Sequence, residues 1–297
     1  MRTYRRNGFW LRLFCAGLVL AAGCAGPATT VPRQNTHAQG EFESPQHESE
    51  ESGTSQKEKA SQEPLWLKAG KADLAKWPNR LIEDSRESFL RIDNMMALLL
   101  AGGVSVAMYD SNIDKDIAEH FEKHRSFRNF RDESLNVIGH PATHIGATTL
   151  WYVLSAENQD QLNRERAWTM RTALTVTWLM TTGLKAIRNS QSPNGKDWAW
   201  PSGHTSSSFT VASVLDEFYG PKVGIPAYGL ASLVAYRMMD TGDHWASDIA
   251  FGATLGWVVG HTIAGRHKKL EVAGFEVVPY MGAGDEPVIG VGLLKQF

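Results

Sequence analysis

From Leu65 to about residue 264, apolar residues return every three or four positions, the spacing that gives a helix one water-avoiding side. The pattern predicts helices over Ala72–Leu81 with flanks, Arg91–Tyr109, Lys115–Lys123, Ala142–Leu154, Arg164–Arg188, Ser202–Phe218, Ile225–Met239 and Trp245–Ala264. Pro141 suits a first helical turn after His140, Gly183 and Gly195 loosen helix ends, and Gly220-Pro221 stops a helix abruptly. These elements add up to an all-α fold, a helical bundle over residues 65–270. Beyond it the period changes: "FEVVPYM" and "PVIGVGLL" flank "GAGDE" and predict a short C-terminal β-hairpin within 271–297.

The polar positions organise the rest of the chain. Residues 25 to about 64 are rich in Ser, Glu, Gln and Pro with almost no large apolar side chain, which predicts a solvated tether unable to bury a core. Before it, Arg2, Arg5 and Arg6 precede the apolar "LFCAGLVLAAGC", the pattern of a secretory signal peptide over residues 1–23. Ala22-Gly23-Cys24 resembles the lipobox of bacterial lipoproteins, with Ala21 where Leu is usual. That resemblance implies a diacylated Cys24 as the new N-terminus, and Ala25 in place of a retention-type Asp implies tethering to the outer membrane, facing the periplasm.

Composition narrows the function classes. The two cysteines, Cys15 and Cys24, both lie in the leader, so the exported part has no disulfide or thiol chemistry. Without residues 1–23, which hold four arginines and no acid, the formal charge moves from −2 to −6, which argues against a nucleic-acid partner. The apolar runs Asn94–Tyr109, Thr172–Leu184 and Ile249–Ala264 are each shorter than the ~20 residues of a membrane span. The expectation is therefore a bundle held at the membrane by its lipid, with a multi-span protein as the alternative. Arg125, Arg128 and Arg131, interleaved with Phe127 and Phe130, read as a solvated amphipathic segment, with a lipid surface as the alternative contact.

Three separated stretches carry candidate chemistry: "LKAIRNSQSPNG" (184–195), "PSGH" (201–204) and "YRMMDTGDHWASDIAFG" (236–252). His244 and Asp248 stand at i and i+4, one turn apart on one helix face, so the carboxylate can fix the imidazole's tautomer and leave its other nitrogen as a nucleophile. Ser202 and Gly203 open an apolar helix, where unsatisfied N–H groups favour an anion and glycine lets the backbone come close. Ser202 can also act as the N-cap. His204 beside them has the ordinary titration range of a general acid. Lys185 and Arg237 offer positive charge.

In order and spacing these stretches resemble the signature of the type 2 phosphatidic acid phosphatase family, which shares its fold with class A bacterial acid phosphatases and vanadium haloperoxidases. The resemblance covers roughly residues 90–265. It implies an all-α bundle of that type and a metal-independent phosphatase. His244 would attack phosphorus, His204 would protonate the leaving oxygen, and Asp248 would orient His244; Lys185, Ser202, Gly203 and Arg237 would hold the phosphate. Substrates would be a phosphomonoester or a lipid (pyro)phosphate. No cofactor is implied, with vanadate an inhibitor, or the prosthetic group if the chain were a haloperoxidase. A third reading is a non-catalytic envelope lipoprotein that binds phosphate.

The match has gaps. Ser192 stands where the family has an arginine, Tyr236 replaces a serine, and six residues rather than five separate Arg237 from His244. Arg188, three residues after Lys185, is the expected substitute for the missing arginine. Asp240 and Asp243 add negative charge near the anion site and are expected to face water, with substrate selection as the alternative. His140 and His144 form an i,i+4 pair without a third ligand, which gives no metal site.

Overall fold

The computed structural model describes residues 63–268 and, for their backbone, three strands beyond them. The predicted signal peptide, Cys24 and the tether lie outside the described residues. All described elements fall within the unit Ser61–Phe297. The described residues hold nine helices: α1 (Leu65–Leu90), α2 (Ile92–Asp110), α3 (Ile113–Lys123), α4 (Asn129–Gly139), α5 (Pro141–Glu157), α6 (Gln161–Arg188), α7 (Gly203–Tyr219), α8 (Pro221–Asp240) and α9 (Ala246–His267). Strands β1 (Leu270–Val272), β2 (Phe275–Gly282) and β3 (Val288–Leu294) form an antiparallel sheet in sequence order, with Val278 opposite Gly292. The predicted hairpin corresponds to β2 and β3, and β1 extends it by one strand.

Local chemistry sets the helix starts. Asp160 accepts a hydrogen bond from the Asn163 N–H (3.0 Å) to cap α6, and His140 accepts one from Ala142 N (3.1 Å) to cap α5, with Pro141 in its first turn. Two expectations change. Helix α1 is much longer than predicted and passes through Pro78. Helix α4 was not predicted at all: "NFRDESLNVIG" has too few apolar positions to show a period.

The core lies between α2, α6, α7 and α9, where Ala101, Met170, Leu174, Val214, Phe251, Leu255 and Ile263 pack. A second cluster of Tyr152, Ala156, Ala167 and Trp168 joins α5 to α6, and Trp77 from α1 packs on it. Helices α7 and α9 pack closely, and small residues are the reason. Gly252, Gly256 and Gly260 present a groove to Ser202, Ser206, Thr210 and Ser213. A Cβ on Gly256 would lie 2.2 Å from the Ser206 carbonyl oxygen, and one on Gly260 2.8 Å from that of Thr210. Three of the small hydroxyl side chains of α7 find partners: Thr210 bonds Thr177 (2.8 Å), Ser206 bonds Thr181 (3.1 Å), and Ser213 donates to Trp257 O (3.2 Å), while Thr205 Oγ1 and Ser208 Oγ are buried without one. The consequence is positional, because His204 begins α7 and Asp248 lies in the first turn of α9.

Helix α2 corrects the reading of the apolar runs. It extends beyond the Asn94–Tyr109 run and is the one helix among the described residues long and apolar enough to cross a membrane. Its outer face is largely uncovered: Met96, Leu99 and Leu100 are 61–71% exposed.

Candidate active site

The site is assembled where the starts of α7 and α9 meet the end of α6. Ser202 N donates to Asp248 O (3.2 Å), joining the two helix starts directly. Ser202 is fully buried and caps α7, its hydroxyl oxygen accepting from Thr205 N (3.4 Å). The first N–H groups of each helix have no partner within the helix, so two positive helix ends converge here. A Cβ on Gly203 would only just touch Thr181 and the Lys185 stem, at 3.8 and 4.0 Å. The protein itself thus leaves room there, and the bare backbone lies open beside Lys185.

Asp248 is held firmly. Its Oδ2 accepts from Trp245 N (2.9 Å), closing the first turn of α9, and Trp245 Nε1 reaches back to Gln191 O (2.7 Å) in the loop after α6. His244 is buried, with Nδ1 3.4 Å from Asp248 Oδ2. The distance suits an ion pair, but the angle falls short of a hydrogen bond, and Nδ1 is a buried nitrogen without an aligned partner. Asp114 on α3 supports the same helix end, accepting from Ser247 N (2.9 Å).

His204 is the second buried imidazole. Its Nε2 also lacks a hydrogen-bond partner. Burial first, then the charges of His140, His244 and Arg237, push its pKa down to about 3, against an upward pull from Asp243. The ring is therefore neutral near pH 7 without a ligand. His140 stands edge-on to it, ring centroids 5.2 Å apart. Lys185, in the last turn of α6, donates to Trp198 O and, at 3.2 Å, to Ala199 O. Burial lowers its pKa to about 8, offset in part by the Asp248 charge.

Arg237 is 8% exposed and tied by two acids: Nε donates to Asp132 Oδ1 (2.7 Å) and Nη1 to Asp243 Oδ2 (3.0 Å). Asp243 also accepts from Asn194 Nδ2 (2.8 Å), Lys196 Nζ (2.6 Å) and Thr241 Oγ1 (2.8 Å). Burial alone would raise its pKa, but these donors outweigh burial and hold it near 2.

Lys185, Ser202, Gly203, His204, Arg237, His244 and Asp248 thus meet around one region. Arg188 does not join them. Its guanidinium stacks on Trp200 (5.1 Å) and Tyr109 (5.6 Å), a cation–π arrangement. Asp240 and Asp243 do not simply face water. Asp240 is buried and accepts from Ser126 N (2.6 Å) and Phe127 N (2.9 Å), and Asp243 binds the cations. Arg125 of the basic segment pairs with Asp132 (3.5 Å). Tyr236 packs edge-on against Phe121 and Phe127. No group of three or more metal-ligating side chains occurs among the described residues, and His144, buried against Ser207 (3.2 Å), is an internal contact of α5 with α7. Asp132 and Lys196 had no signal in the sequence, because their partners lie 105 and 47 residues away.

The sequence model of the PAP2 superfamily matches residues 184–270, a span holding every group just placed around His204 except His140 and Asp132. Over this segment the chain is similar to the PAP2 superfamily. The bundle is similar in fold to a transmembrane PAP2-type phosphatidylglycerolphosphate phosphatase from Bacillus subtilis. That superposition has a TM-score of 0.51 at 16% identity, over 61% of this chain and 96% of that one. LpxE from Aquifex aeolicus aligns with a TM-score of 0.42 at 18% identity, over 50% of this chain and 93% of that one. In sequence, 65 residues are 35% identical to the lipid A 1-phosphatase of Porphyromonas gingivalis, 21% of this chain. The match spans only 15% of that relative's length. Within the PAP2 frame, Ser192 is the main departure. It is buried, and its hydroxyl is used inside its own loop, with Asn194 Oδ1 at 2.7 Å and Lys196 O at 3.1 Å.

Proposed function

We propose that the protein is a phosphatase acting on a phosphorylated lipid at a membrane, needing no metal ion and proceeding through phosphohistidine. The observation that carries this reading is the pair of buried, unpartnered imidazole nitrogens, His204 Nε2 and His244 Nδ1, beside the cations of Lys185 and Arg237. A buried polar atom without a partner is costly, and a bound phosphate would relieve that cost for His204.

The chemistry follows from the placement. Asp248 draws the Nδ1 proton of His244, so Nε2 carries the lone pair that attacks phosphorus in line. Lys185, Arg237 and the first N–H groups of α7 neutralise the charge that builds on the phosphoryl oxygens. The P–O bond breaks as His204 gives its proton to the departing oxygen. Water then attacks the phosphorus, the P–N bond breaks and His244 is released, while His204 takes a proton from that water. His204 is neutral in the empty site, so its proton arrives with the substrate, whose negative charge also favours the imidazolium.

A lipid substrate is supported by the names of the relatives and by the uncovered apolar face of α2. The lipobox-like Cys24 would add a second membrane attachment on the periplasmic side. The test is phosphate release from phosphatidic acid and lipid A in mixed micelles, with a soluble chromogenic phosphomonoester alongside. The reading expects turnover that survives EDTA, stops with vanadate, and vanishes in His244→Ala. Binding of vanadate without turnover of any substrate would replace it with the non-catalytic alternative.

A further inference from the structure

The missing arginine leaves the site one positive charge short, and the loop that carries Ser192 brings another. Ser192 and Lys196 close this loop on themselves: Ser192 N donates to Lys196 O (2.9 Å), and Lys196 N donates to Ser192 Oγ (3.0 Å). Asn194 docks the loop on the segment before His244, its N–H donating to Gly242 O (3.0 Å) and its side chain to Asp243. Ser192 therefore braces the turn rather than reaching the substrate region. What the turn delivers is the Lys196 ammonium, 2.6 Å from Asp243 Oδ1. The other oxygen of the same carboxylate holds Arg237 Nη1 at 3.0 Å. One carboxylate, directly preceding His244 in the chain, bridges the two cations.

We propose that Lys196 is a phosphate-binding residue that restores the charge lost at Ser192, and that the Asp243 carboxylate occupies the place of a substrate oxyanion between Lys196 and Arg237. This rests on the phosphatase reading above. A phosphoryl group presents negatively charged oxygens at a spacing close to a carboxylate's, so cations arranged to bridge one can bridge the other. Lysine suits the task because its flexible stem and point charge can shift from one anion to the next without a fixed fork geometry. The Lys196 side chain is 69% exposed, so it can turn without disturbing the core.

The experiment measures kcat, KM and the vanadate inhibition constant for full-length Lys196→Met, Lys196→Arg and Lys196→Met/Ser192→Arg. Lys196→Met should raise KM and weaken vanadate about 10- to 100-fold, the loss of one charge-assisted hydrogen bond. Lys196→Arg and the Ser192→Arg double variant should recover most of that loss. Lys196→Met/Asp243→Asn separates direct binding from mere neutralisation of Asp243: it should still bind vanadate weakly. Return to wild-type affinity in that double variant would overturn the proposal, as would a Lys196→Met enzyme within twofold of wild type while His244→Ala is inactive. If His244→Ala keeps full activity, the phosphatase mechanism itself fails, a result distinct from either.

Discussion

Gly256→Ala tests whether the tight α7–α9 contact is what brings the two imidazoles together. The added Cβ would lie 2.2 Å from Ser206 O, 2.9 Å from Phe209 Cβ and 2.9 Å from Thr210 N. Two of these are backbone atoms, so no side-chain rotation can clear them. Ordinary contact needs α7 to retreat by about 1 Å, and overpacking of this kind costs ~1–3 kcal/mol. Alanine's better helix propensity returns up to about 1 kcal/mol, and with that full return the net loss is up to about 2 kcal/mol. For a domain of this size that lowers Tm by up to about 8 °C. The same shift moves His204 away from His244 and Asp248, and a displacement of about 1 Å can cost ~10²-fold in kcat. Thermal unfolding by circular dichroism and steady-state phosphate release read both effects. Gly265→Ala on the same helix is the control: nothing lies within 4 Å of its added Cβ, so it should be neutral or slightly stabilising. Gly256→Ala with unchanged Tm and unchanged kcat would refute the packing argument.

Other expectations concern charge. Lys185 loses its proton at about pH 8 when folded, against 10.5 ordinarily, so between these values the unfolded chain binds more protons and stability rises with pH. A Tm series from pH 8 to 10 should show a rise that Lys185→Met flattens; equal slopes in both proteins would contradict it. His204 is neutral above about pH 3 in the free protein, so the proton for the leaving group comes with the monoanionic substrate. The profile of kcat/KM should then fall above the substrate's second ionisation, near pH ~6; a flat profile to pH 8 would count against this. Asp114→Ala removes the acceptor for Ser247 N at the start of α9 and should cost about 1–3 kcal/mol of stability, read from denaturant unfolding.

The parts of this site that were legible in the sequence are those whose geometry is local. His244 and Asp248 share a helix turn, and Ser202, Gly203 and His204 open a helix, so spacing alone gave their relation. Lys185 and Arg237 followed from the family resemblance. The ion pairs that settle Arg237 were not legible, since Asp132 comes from α4, a helix whose weak apolar period hid it. Arg188 was read only from the helix face it shares with Lys185, which says nothing about Trp200 and Tyr109, whose rings hold its guanidinium. The run of hydroxyl residues after His204 leads into an apolar helix. It is also the small-residue surface on which the glycines of α9 rest. Helix α2 was underestimated because the apolar run was counted without the flanking residues that complete the helix.

The central claim is a covalent phosphate on one named imidazole. Rapid acid-free quenching of a turnover with phosphate-labelled substrate, followed by peptide mapping, tests it directly. The account predicts an acid-labile, base-stable phosphohistidine at His244 that accumulates when His204 is replaced by Ala and an activated leaving group is supplied. Label on His204, or turnover with no labelled histidine in any variant, would contradict it.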